Sequence, residues 1–100
     1  MFCLLCKGDA LRYHLGKKFS TRDQDNDEKS GSSCAVRHKG AWWYGYCYNS
    51  NLNGHYYRTG SYTPSSYDDG VEWYHWKGNW RYSLKSTEMK IRPFYIGGAR

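Results

Sequence analysis

The sequence predicts a small α+β domain, loop-rich and β-dominated, with an aromatic core. Three observations lead there. The chain has 100 residues, room for one domain and not two. It carries only 6 Leu, 2 Ile, 2 Val and 3 Phe but 11 Tyr and 5 Trp. Each aromatic ring can bury about 150–250 Å², so rings must supply the core, and their hydroxyl and indole N–H groups need partners. Third, the apolar residues fall in short runs separated by Gly, Pro, Asn, Asp and Ser. That is the pattern of short strands and loops, not of long helices.

The composition also excludes. The net charge is +6, which with so few aliphatics would suggest disorder if the aromatics were absent. No stretch approaches the ~18–20 apolar residues of a membrane span; the longest are Phe2–Cys6 and Ala41–Tyr44. There is no heptad, internal repeat or Asn-x-Ser/Thr acceptor.

The elements follow in sequence order. Met1–Cys6 has the apolar character of a signal-peptide core but is too short, with no basic start and no small-residue cleavage site. Three readings stay open for it: the start of a truncated gene model, an apolar strand, or a metal or redox Cys3-x-x-Cys6. A zinc ribbon would need a second close Cys pair, and Cys34 and Cys47 are far apart. Leu11–Ser20 reads as a strand or irregular segment, and Thr21–Ser33 as a polar loop. Ala41–Tyr44 is a short strand whose Trp42 and Trp43 point to opposite faces, so both faces should be covered. Asn49–Gly54 is rich in turn formers, and Thr59–Gly70 is a long loop. Val71–Trp76 is a strand with Val71, Trp73 and His75 on one face and Glu72, Tyr74 and Trp76 on the other. Tyr82–Arg92 has the best alternation, interrupted near Ser86–Glu88. The final Gly97–Arg100 reads as a frayed tail.

Two features carry chemistry. Asp23, Asp25, Asp27 and Glu28 crowd four acids into six residues, a solvated loop or a hard-cation loop. An EF-hand is excluded, because its Gly and Glu positions hold Glu28 and Cys34. Cys34 and Cys47 are either disulfide-linked or two buried thiols. A link would stabilise by roughly 3 kcal/mol on the chain-entropy model and would place the protein in an oxidising compartment.

These features join a longer series: Phe19-Ser20-Thr21-Arg22-Asp23-Gln24-Asp25-Asn26-Asp27, Cys34-Ala35, Gly40-Ala41-Trp42-Trp43-Tyr44, Cys47, Ser50-Asn51-Leu52-Asn53-Gly54, Asp69-Gly70-Val71-Glu72-Trp73, Tyr82-Ser83-Leu84-Lys85 and Thr87-Glu88-Met89-Lys90-Ile91-Arg92-Pro93. From about Gly8 to Pro93 the sequence resembles the C-terminal part of a fibrinogen-related domain, as in ficolins, tachylectins, tenascins, angiopoietins and fibrinogen. The resemblance divides it into a non-family segment 1–7, family residues 8–93 and a tail 94–100. It implies an incomplete domain, about half the family length and lacking the N-terminal part.

The resemblance also implies a site. Ca²⁺ would be held by the Asp25 and Asp27 side chains and two backbone carbonyls. These are Lys29 and Gly31 counting forward from Asp27, or Ser30 and Ser32 counting back from Cys34. Cys34 and Cys47 would pair. A ligand pocket beside the loop would use His38, Tyr46, Cys47, Tyr48, Tyr67 and Trp80, with a cis Tyr46–Cys47 bond. Lectin-like relatives usually place His at position 48 and an aromatic at 38; here Tyr48 and His38 are exchanged, which keeps one of each at the mouth. Other readings make Tyr67 and Trp80 core aromatics and His38 a surface residue.

The implied function is a secreted, Ca²⁺-supported, lectin-like recognition module for N-acetylated glycans or other acetylated ligands, of the kind used in innate immunity. The alternative is an extracellular protein- or receptor-binding module without carbohydrate selectivity. No catalytic motif surrounds His14, His38, His55 or His75, so an enzyme is not expected. Basic residues among aromatics suit single-stranded nucleic acid, but RNP and zinc-finger patterns are absent, and such a face also suits acidic polysaccharides.

Overall fold

The computed structural model describes residues 8–76 and 81–93. Its core is aromatic, as the composition requires. Trp42, Tyr44 and Tyr48 pack with Cys34, Ala35 and Cys47, flanked by the half-buried Leu11 and Leu52. The expected disulfide is present, Cys34 to Cys47, with Cα atoms 5.4 Å apart.

Regular structure is sparser than expected. A 3₁₀ turn spans Arg12–His14, within the segment read as strand or irregular. Its start is fixed by Asp9, whose carboxylate accepts the backbone N–H groups of Leu11 and Arg12. The helix α1, Cys34–His38, was not expected. Five residues are too few to print an apolar period on the sequence. The helix is held from outside: Ser33 Oγ accepts the Val36 N–H, Asp27 Oδ2 accepts the Cys34 N–H, and the disulfide anchors its first residue. It ends at Lys39, in the left-handed region with φ 57°, which stops a helix.

The strands β1, Ser50–Asn51, and β2, Glu72–Trp73, pair antiparallel, Ser50 opposite Trp73 and Asn51 opposite Glu72. The β-dominated expectation is therefore corrected: among the described residues, the remaining ladder contacts are isolated bridges, such as Ser20 with Trp42 and Ser61 with Tyr82. Ala41–Tyr44 contributes one such bridge, with hydrogen bonds of 2.9 and 3.1 Å between Ser20 and Trp42. Its two Trp do part: Trp42 is buried, whereas Trp43 is 37% exposed beside Phe19, so one face is only half covered. Val71–Trp76 keeps strand geometry only over β2 before turning.

Tyr82–Arg92 forms no strand. Alternation makes a strand only where a neighbour offers backbone partners. Ser83 and Leu84 find them in Gly60 and Val71. Beyond, residues 85–93 are exposed, Ile91 at 92%.

Side chains replace the missing ladders. His14 is buried and spans three segments. Its Nδ1 donates to Trp43 O at 2.7 Å, and its Nε2 accepts the N–H groups of Asn49 and Ser50 at 3.1 and 3.2 Å. Accepting two N–H bonds fixes one neutral tautomer, and burial holds its pKa below the ordinary value. Asn51 does the same across the core. It accepts from Tyr44 Oη at 2.5 Å and donates to the carbonyls of His38 and Gly70, both at 3.1 Å. Gly54 is required beside it, since a Cβ there would lie 2.2 Å from Gly70 O. The Met1–Cys6 readings, Cys3 and Cys6 among them, and the 94–100 tail lie outside the described residues.

Candidate functional site

The disulfide draws the end of α1 and the turn at Tyr46–Tyr48 together. A small cavity of about 140 Å³ opens there, lined by His38, Tyr46, Cys47, Tyr48 and Asp68. Four of these were expected at the pocket from the sequence. The exchanged pair does meet: the His38 and Tyr48 rings stand edge to face with centroids 4.8 Å apart. Tyr67 is 6.2 Å from His38, also edge to face. It is 45% exposed, not a core aromatic, and Arg37 lies over its ring at 3.8 Å. Trp80 lies outside the described residues.

Each wall is held from behind. His38 Nδ1 donates to the Asp68 carbonyl, which leaves Nε2 as the acceptor of a half-buried ring. Burial lowers the His38 pKa, so this ring is neutral at neutral pH. Tyr46 is 67% exposed. Its N–H donates to Tyr13 Oη at 2.7 Å, and the Lys29 ammonium lies 4.1 Å over its ring. The Tyr46–Cys47 bond corrects an expectation. No peptide bond among the described residues is cis, and the trans form carries none of the ~3–4 kcal/mol that a cis non-proline bond costs.

Behind Tyr48 lies a polar cluster that sequence reasoning missed. Glu72 is fully buried; its two carboxylate oxygens accept from Tyr48 Oη, at 2.8 Å, and from Tyr62 Oη. Burial pushes the Glu72 pKa up to about 7, against the two Tyr hydrogen bonds, which favour the charged form. Burial and the neighbouring carboxylate raise the Tyr48 and Tyr62 hydroxyls well above their ordinary value. Asp69, also buried, accepts from Tyr57 Oη at 2.6 Å and meets Lys39 Nζ at 2.9 Å. The outer Asp68 carboxylate is paired with Arg81 at 3.0 Å. The missed signal was Glu72 inside an apolar strand. Its alternation showed which face it takes but not that Tyr48 and Tyr62 would meet it.

The acidic loop leads into the disulfide, since Asp27 accepts the Cys34 N–H. Two of its four acids already have side-chain partners: Asp23 accepts from Thr21 Oγ1 at 2.7 Å within the loop, and Glu28 pairs with Lys17 outside it at 2.8 Å. Asp25 Oδ1 accepts the Asp27 N–H, and Asp27 accepts the N–H groups of Lys29 and Cys34. Each carboxylate oxygen has a second lone pair, so these bonds leave both side chains able to bind a hard cation. Gly31, with φ 82°, turns the backbone within the stretch 29–32 that carries the candidate carbonyls. Among the described residues, no group of three or more His, Cys, Asp or Glu side chains is placed to hold a metal. The expected donor set has only two such side chains.

Comparison with known proteins decides the family. Residues 3–94 match the family model of the C-terminal globular domain of fibrinogen beta and gamma chains. The protein belongs to that family. It is 55% identical over 86 residues to human fibrinogen C domain-containing protein 1, covering 86% of this chain and 18% of that protein. To chicken tenascin-R it is 47% identical over 87 residues, 87% of this chain and 6% of that one. Among solved structures, the fibrinogen-like globe domain of human ANGPTL2 superposes with a TM-score of 0.73 at 48% identity, over 79% of this chain and 35% of that one. The lamprey fibrin D-dimer, complexed with the peptide Gly-His-Arg-Pro-amide, gives 0.67 at 36% identity, over 87% of this chain and 29% of that one. The sequence thus spans only a small part of its curated relatives. Family membership implies an extracellular recognition module of a generally non-catalytic kind, and the disulfide is consistent with an oxidising compartment.

Proposed function

We propose that the protein is a secreted, Ca²⁺-supported, lectin-like recognition module whose pocket takes an acetyl group, carried by an N-acetylated glycan or a similar ligand. The observation that carries the reading is the small cavity beside the edge-to-face His38 and Tyr48 rings. An acetamide needs apolar enclosure for its methyl group and one or two hydrogen bonds for its amide. The rings of His38, Tyr46 and Tyr48 supply the enclosure. Neutral His38 and the backbone around Cys47 supply polar atoms, and Tyr67 extends the wall.

Asp25 and Asp27, with carbonyls of Lys29 and Gly31, fit the oxygen donors that Ca²⁺ requires. Their use would be structural. Asp27 fixes Cys34, Cys34 starts α1, and α1 ends at His38. A cation at Asp27 would therefore stiffen one wall of the pocket.

The second reading is recognition of a protein segment, favoured by the peptide complex of the lamprey relative. A cationic peptide end would need Asp68, whose carboxylate here is paired with Arg81. That pairing favours the uncharged acetyl ligand.

The test is retention of the oxidised protein on an N-acetylglucosamine resin with Ca²⁺. Elution by free N-acetylglucosamine and by EDTA is expected, with near-UV circular dichroism showing ordered Trp packing. A folded sample that is not retained, but binds Gly-His-Arg-Pro-amide, overturns the acetyl reading in favour of the peptide one.

A further inference from the structure

A second and larger cavity, of about 570 Å³, is lined by a different set of residues. Its lining comes from two segments far apart in the sequence. Tyr56, Tyr57, Arg58, Thr59 and Gly60 form one side, and Tyr82, Ser83, Leu84 and Lys85 form the other, with Trp76 beside them. It shares no residue with the cavity at His38.

The floor of this groove is built. Tyr62 N–H donates to Arg81 O at 3.0 Å, and Ser83 N–H donates to Gly60 O at 2.7 Å, so the two sides are stitched backbone to backbone. Gly60 takes a positive φ of 79°, and a Cβ there would stand 3.0 Å from the Tyr82 ring, so the ring sits directly against the backbone. Tyr57 stacks flat on Tyr62, centroids 4.0 Å apart, and its hydroxyl is tied to Asp69. Its ring orientation is therefore fixed before any ligand arrives. Above this floor Tyr56 is 51% exposed and Trp76 39% exposed. The charged residues of the lining are Arg58 and Lys85, both exposed, and none of the ten lining residues is acidic.

Flat aromatic faces present the apolar faces of sugar rings with stacking surface, and two cations of one sign, with no counter-acid in the lining, present an anion with its partner. We propose that this groove is a second binding site, for an anionic polysaccharide bearing sulfate or carboxylate groups. Sugar rings lie against Tyr56, Tyr82 and Trp76, while Arg58 and Lys85 hold the acidic substituents. Single-stranded nucleic acid offers the same two features. The Cys34–Cys47 disulfide favours the saccharide, because it belongs to an oxidising environment outside the cytosol. The groove does not depend on the acetyl reading of the other pocket.

The experiment titrates the oxidised protein with a size-defined heparin oligosaccharide, following intrinsic fluorescence and heat, at several salt concentrations. Binding is expected, weakening as salt rises. The R58A/K85A double variant should bind about tenfold or more weakly, the size expected for two charge-assisted contacts. Y56A should weaken binding with little change in the salt dependence. K18A/R22A removes two exposed basic residues outside the groove and should leave binding within about twofold. An equal loss in K18A/R22A means a general charge effect and overturns the site. Tighter binding of a single-stranded oligonucleotide at the same groove overturns the saccharide as occupant. Loss of the far-ultraviolet and near-ultraviolet spectra in a variant is read separately from loss of binding, and Y56F, which keeps the ring, should bind like the parent.

Discussion

Replacing Glu72 by Gln isolates the buried carboxylate behind Tyr48. Gln keeps an oxygen for one tyrosine hydroxyl and removes the titration. In the parent, burial raises the Glu72 pKa from 4.5 to about 7. The folded state thus holds this proton more tightly than the unfolded state does, and the associated stability is complete below pH 4.5. It is lost as pH rises through the interval up to about 7. At 1.36 kcal/mol for each pH unit of that interval, the loss is at most about 3 kcal/mol. The groups facing Glu72 are Tyr48, Tyr62, Asp68 and Asp69, and Lys39 offsets Asp69. His14 and His38 act in the opposite sense. Their pKa values are lowered by burial, so their contribution is present above pH 6.5 and falls as pH drops below it. The parent profile mixes both trends. The informative quantity is the difference between parent and E72Q in urea unfolding, read by Trp fluorescence from pH 4.5 to 8. That difference should move against the parent as pH rises. Parallel profiles for the two proteins would refute the assignment of a raised pKa to Glu72.

Other outcomes follow from the same geometry. Reduction, or Cys47→Ser, should cost roughly 3 kcal/mol, the chain-entropy value for a loop of this size, measured as a shift of the urea midpoint with and without reductant. His14→Ala leaves the Trp43 carbonyl and the Asn49 and Ser50 N–H groups without their partner. It should cost about 3 kcal/mol at pH 7.5 and less at pH 5, where the parent has already lost part of the contribution. Ca²⁺ at 100 times its dissociation constant should stabilise the oxidised protein by about 2.7 kcal/mol in thermal unfolding. D25N should abolish that gain, and an unchanged Ca²⁺ response in D25N would remove Asp25 from the donor set.

The pocket residues were legible only through the resemblance to a family, which named His38, Tyr46, Cys47 and Tyr48 together with Tyr67 and Trp80. His38, Tyr46, Cys47 and Tyr48 sit within a short loop closed by one disulfide, so their proximity is nearly a consequence of loop length. Tyr67 joins them from about twenty residues away, a proximity that loop length does not explain. The polar supports were not legible. His14, Asn51, Asp69 and Glu72 each work by meeting groups far along the sequence, and a buried polar residue looks on paper like an exposed one. Strand content was overestimated for a related reason. Alternation in Tyr82–Arg92 records which sides a segment offers, whereas a ladder also needs a neighbouring backbone.

The sequence by itself determined that rings would fill the core, that Cys34 and Cys47 stand at a spacing that allows one cross-link, and that the acids of 23–28 would share a loop. These follow from composition and local spacing, which are fixed before folding. Tertiary structure alone decided that Glu72 would stand behind Tyr48, that His14 would take the tautomer that accepts two N–H groups, and that residues 56–60 and 82–85 would face each other across a groove. Each of these depends on which distant groups share a desolvated space. There an unpaired polar group costs about 1–3 kcal/mol, and the partner that satisfies it is set by packing.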